Sequence, residues 1–69
     1  MTEENGGEMS RVQRAAERFK AAKTEVDAAR EDLHAAIKAA LAAGLPIGQV
    51  ARESGYDREH VRRIREGLV

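Results

Sequence analysis

The sequence predicts an all-α fold, and three observations carry the prediction. Alanine is the commonest of its apolar residues, with one Phe, one Tyr and no Trp, an inventory that suits close helix packing. No Gly or Pro interrupts the chain from Ser10 to Gly44, which leaves room for a helix of many turns. Beyond Gly44 the chain is punctuated by Pro46, Gly55 and Gly67, which divide it into short helices.

Length and composition set further bounds. A chain of 69 residues makes one small domain at most, with a core worth only a few kcal/mol of net stability. Without cysteine neither disulfides nor thiolate zinc sites can add to it, so packing against a second chain is expected. Twelve basic and twelve acidic residues cancel, so charge is informative only through its distribution. Residues 1–9 are acidic, 10–23 basic and 24–36 acidic again, and the remainder is weakly basic. No apolar run approaches the roughly 20 residues needed to span a bilayer, and the acidic start "MTEENGGEMS" lacks the basic opening and apolar centre of a secretion signal. A cytoplasmic location and no membrane association are expected. His34 falls on the outer face of the long helix with no spaced His, Cys or carboxylate partner, so it is expected to be solvated and no metal site follows. No serine–histidine–acid set, phosphate-binding glycine loop or isolated carboxylate pair is present, so no catalysis, cofactor or small-molecule ligand is expected.

Element by element, residues 1–9, acidic and with Gly6 and Gly7, read as an unstructured tail. A helix then runs from Ser10, a candidate N-cap, to Gly44, a candidate C-terminal cap. It is about 50 Å long, more than the rest of the chain can cover. Residues 10–32 read as an alanine-rich coiled-coil segment continuous with the following helix. Val12, Phe19, Val26, Leu33 and Ala40 recur every seven residues, and Ala15, Ala22, Ala29, Ala36 and Ala43 each follow one of them by three, which makes both seam positions apolar. The alternative is a solvated helix, or one folded back on its own chain.

Alanine at every second seam position lets each bulky residue face a small one on the partner, which an antiparallel homodimer provides. Flanking charge agrees. Arg11 and Arg18 lie on the same side of the seam as Glu25 and Asp32, so antiparallel copies pair Arg11 with Asp32 and Arg18 with Glu25, each twice. A parallel pair brings Arg18 near Lys23 instead. Such exposed pairs are worth at most about 1 kcal/mol each, so they choose orientation more than they supply stability.

Residues 33–69 read as a second unit. Ile37 and Leu41 lie off the seam and begin a second apolar face. After Gly44, a short helix headed by Pro46 carries Val50 and Ala51 inwards and ends at Gly55. Asp57 is a good N-cap for a third helix, in which Val61 and Ile64 share a face and Gly67 marks the end.

The pattern "IGQVARESGYDREHVRRI" places Ala51 four residues before Gly55, and Val61 and Ile64 six and nine after it. In this it resembles the helix-turn-helix DNA-binding motif, most closely that of the mercury-resistance regulator family, and the whole chain is similar in style to small actinobacterial, phage or plasmid DNA-binding proteins. Ser54, where that family usually has an apolar residue, and the bulky Tyr56 depart from the pattern. The resemblance implies that the third helix enters the major groove, with Arg58, Glu59, Arg62, Arg63 and Glu66 facing outwards, where guanidinium groups meet guanine edges or phosphates. Glu59 then accepts from a cytosine amino group or orients its arginines, His60 touches the DNA backbone, and Gln49 and Arg52 of the second helix contact phosphates. Basic residues of the long helix, among them Arg14, Lys20 and Lys23, are candidates for a second phosphate stripe. For any one arginine a solvated helix face is an equally good account. The resulting expectation is a dimeric, nucleoid-associated transcriptional regulator, or an accessory factor of a mobile element, that reads double-stranded DNA. The alternative partner is a protein of the transcription machinery, bound without DNA contact.

Overall fold

The computed structural model describes residues 2–69, and the surroundings of side chains from residue 7 onward. Three helices follow one another: α1 (Thr2–Ala42), α2 (Ile47–Ser54) and α3 (Arg58–Glu66). No strand occurs among the described residues. Helices α2 and α3 pack on each other and on the C-terminal end of α1, which gives a rod with a head at one end, 64 Å long and 18 × 16 Å across.

The head is built on five buried residues, Ile37 from α1, Val50 and Ala51 from α2, and Val61 and Ile64 from α3. Val61 and Ile64 have no exposed surface. Burying a branched side chain of this size contributes about 1.5–3 kcal/mol, so this small cluster is what fixes α3 against α1. Leu33, Ala40, Leu41, Ile47 and Tyr56 border it. The expected second apolar face, Ile37 and Leu41, is therefore the floor of the head.

The turns follow from residue chemistry. Gly44 takes a φ of +92°, and the bonds from its N–H to the Leu41 carbonyl and from the Leu45 N–H to the Ala40 carbonyl close α1 as a Schellman motif. Extended Pro46 precedes α2. At the turn between the short helices Gly55 has φ +85°, where a β-carbon would be strained. The departure at Ser54 has a local cause: its hydroxyl donates to the Ala51 carbonyl and accepts from the Tyr56 N–H, both at 3.2 Å, so it stitches the turn shut. Asp57 caps α3 by accepting from the His60 N–H at 2.7 Å.

Two expectations are corrected. Ser10, a candidate N-cap, is an interior residue of α1, and Met1, the first residue of the segment expected to be a tail, lies outside the described residues. Once a helix is nucleated each added residue gains a backbone bond, and Glu8 pairs with Arg11 one turn on at 3.5 Å. Leu33, expected at the dimer seam, is half-buried and packs against the head core, because α1 turns that part of its face towards α2 and α3. The seam residues further along α1 have no such cover. Val12, Phe19 and Val26 are 61%, 71% and 53% exposed, and Ala15, Ala22 and Ala29 are exposed with them.

Candidate functional site

Helices α2 and α3 expose five arginines, Arg52, Arg58, Arg62, Arg63 and Arg65, beside three glutamates, Glu53, Glu59 and Glu66. Because Val61 and Ile64 point inwards, the helical repeat of about 100° per residue sends Arg58, Glu59, Arg62, Arg63 and Glu66 outwards, and all five are exposed. Gln49 and Arg52 are exposed on α2, which Val50 and Ala51 anchor from beneath. Six of the seven residues expected to contact DNA thus lie on the open surface of the head.

His60 is the exception. Its ring is half-buried and stacks on Tyr56 with centroids 4.0 Å apart and planes 12° from parallel. It also stands edge-on to His34, 6.4 Å away, and His34 meets Tyr56 in the same manner at 6.0 Å. His60 therefore packs between α3 and α1. The expectation of a solvated His34 is corrected, since its Nε2 is buried without a hydrogen-bond partner among the described residues. The cause is Tyr56, whose ring closes the gap between turn and rod and draws both imidazoles into one aromatic contact.

The cations of this surface fall into two sets. Glu59 is hydrogen-bonded to Arg62 one turn on and lies 3.9 Å from Arg63, so one carboxylate serves two guanidinium groups. Arg65, which sequence reasoning left out, lies 3.8 Å from Glu66. Arg52 and Arg58 have no carboxylate within 4.0 Å among the described residues. Arg58 also bridges the two short helices. A β-carbon added to Gly48 of α2 would stand 2.7 Å from its Nη2, 3.2 Å from its Cζ and 3.3 Å from its Nε, so the guanidinium lies in the space that a side chain would fill. Sequence reasoning missed Gly48. The available signal was a glycine inside a helical pattern, away from any turn, which points to close approach by another group.

Beside α2, Leu33, Ala36, Ile37, Ala40, Leu45 and Val50 line an open apolar groove of about 210 Å³ with Gln49, Glu53 and Ser54 at its rim, so Gln49 borders this groove as well as the surface. It continues the α1 stripe. Among the described residues no cluster of His and carboxylate side chains is placed to hold a metal ion, and no helix is long and apolar enough to cross a membrane. Compared with protein-family models, curated proteins and solved structures, the chain matches none.

Proposed function

We propose that the chain is a homodimeric, sequence-specific DNA-binding protein in which α2 and α3 act as a helix-turn-helix and α3 enters the major groove. The observation that carries the proposal is the arrangement of α3: two fully buried branched residues hold it to the rod, while Arg58, Arg62 and Arg63 stand on its open side beside Arg52 of α2. A short helix with its whole polar face free and four guanidinium groups around it fits a groove walled by phosphates. Zero net charge does not oppose this, because α2 and α3 together carry five arginines against three glutamates.

Dimerisation completes the reading. The stripe of Val12, Phe19 and Val26 leaves bulky apolar groups in water in a single chain, and an antiparallel second copy covers them with alanines while pairing Arg11 with Asp32 and Arg18 with Glu25. As a transcriptional regulator or mobile-element factor, such a dimer joins two heads by a rigid rod.

A salt titration of binding to mixed genomic fragments tests the proposal. The expected result is affinity that falls steeply with salt, favours particular fragments, and drops when Arg62 and Arg63 are both changed to Ala. Absence of binding at low salt refutes it.

One observation favours a second reading, a protein-binding head without DNA contact: Glu59 already neutralises part of the charge of Arg62 and Arg63. In that case capture of a transcription protein survives while DNA affinity is absent throughout.

A further inference from the structure

Gly48 has no backbone reason to be glycine. Among the described residues positive φ occurs at Gly44, Gly55 and Gly67, whereas Gly48 sits in the first turn of α2 in ordinary helical conformation, where alanine is the better helix former. What distinguishes the position is the Arg58 guanidinium, which occupies the place of the missing β-carbon at a separation of 2.7 Å.

We infer that Arg58 is a backbone-phosphate contact of the DNA-binding face and that Gly48 is its positioning residue. The inference rests on the proposed DNA reading and divides the arginines of the head by their partners. Arg62 and Arg63 share the Glu59 carboxylate, which restrains their direction, and direction is what discrimination between base edges needs. Among the described residues neither Arg58 nor Arg52 on the neighbouring helix has a carboxylate within 4.0 Å, and a guanidinium without such a partner at the junction of two helices suits a phosphate diester, which accepts its forked donors from any sequence. Arg58 has a long side chain that costs entropy to hold still. Lying in the notch over Gly48 lowers that cost by confining the guanidinium before DNA arrives.

The test is the substitution Gly48→Ala, read by melting temperature and by the salt dependence of binding to a mixed-sequence duplex. The atom in the way is the end of a flexible side chain, so Arg58 moves aside and the fold is kept. The melting temperature stays level or rises by up to about 4 °C, while the slope of log affinity against log salt becomes shallower by up to about 0.9, the share of one phosphate. Loss falls equally on specific and unrelated sequences. In an Arg58→Ala background, which shows the same shallower slope, Gly48→Ala has no further effect. If the Gly48→Ala chain binds with the slope of the wild type while Arg58→Ala lowers it, the positioning role is wrong and the DNA reading stands. If Arg58→Ala itself leaves the slope unchanged in a wild type that binds, Arg58 touches no phosphate. A wild-type chain that binds no duplex at low salt overturns the DNA reading and this assignment together.

Discussion

The ring of Tyr56 lies flat on that of His60, with centroids 4.0 Å apart, and both meet the edge of His34 on α1. This contact joins the turn before α3, the first turn of α3 and the rod, so it fixes the angle at which α3 leaves the long helix. Aromatic pairs of this kind contribute about 0.5–1.5 kcal/mol beyond their buried area. Tyr56→Ala is expected to destabilise the head by about 2 kcal/mol, a drop in melting temperature on the order of 10 °C for a domain this small. Tyr56→Phe, which keeps the ring, should stay close to wild type by thermal unfolding. An equal loss in both variants would show that the hydroxyl, and not the stack, holds the contact.

The rod was legible in the sequence because seven-residue spacing and an uninterrupted helix are properties of the chain alone. The ends of the short helices were legible for a similar reason: Gly44, Gly55, Asp57 and Gly67 act within a few residues of themselves. The contacts that were missed all cross between elements. His34 and His60 lie 26 positions apart in the chain, and nothing in local pattern says that a tyrosine will bring them together. Gly48 and Arg58 are a pair of the same sort. Ser10 was misread as an N-cap because a capping residue is recognised by its type, while the helix runs on through it.

Phe19 is 71% exposed in the single chain and touches no part of the head core. Phe19→Glu should therefore leave the unfolding of an isolated head unchanged, and act only if the α1 stripe meets a second chain. The expected outcome is conversion of a dimer to a monomer, measured by sedimentation equilibrium over a range of concentrations, because two carboxylates per dimer enter an apolar seam. A wild-type chain that is already monomeric at high concentration refutes the seam.

Glu59 sits between Arg62 and Arg63 and restrains both. Neutralising it in Glu59→Gln releases the two guanidinium groups at a stability cost of a few tenths of a kcal/mol, since the pairs are exposed. Affinity for unrelated duplexes should rise severalfold and the salt slope should steepen by up to about 2, while preference between sequences narrows. Competition assays with specific and mixed duplexes check this. A loss confined to sites with one particular cytosine would instead assign Glu59 as a reader of that base.

In the proposed DNA-binding dimer, the spacing of the half-sites depends on where the head joins the rod. By helix length alone, antiparallel copies pivoting near residue 21 carry their heads some 60 Å or more apart, nearer two turns of DNA than one. In the folded chain the head sits beside Leu33 to Leu41, centred near Ile37, so each head lies about 24 Å from the pivot along the axis and the two about 48 Å apart, before their sideways offset is added. That distance exceeds the 34–36 Å turn between half-sites of compact helix-turn-helix dimers. Footprinting should therefore show two protected patches separated by accessible DNA, or two separate duplexes bridged by one dimer. Adjacent half-sites one turn apart would mean that the copies run parallel, with both heads at the same end of the rod. The Arg11–Asp32 and Arg18–Glu25 pairs would then be absent from the dimer, and reversing the charges at Arg11 and Asp32 together would leave its stability unchanged. In the antiparallel dimer reversing either one alone weakens association, and reversing both restores it.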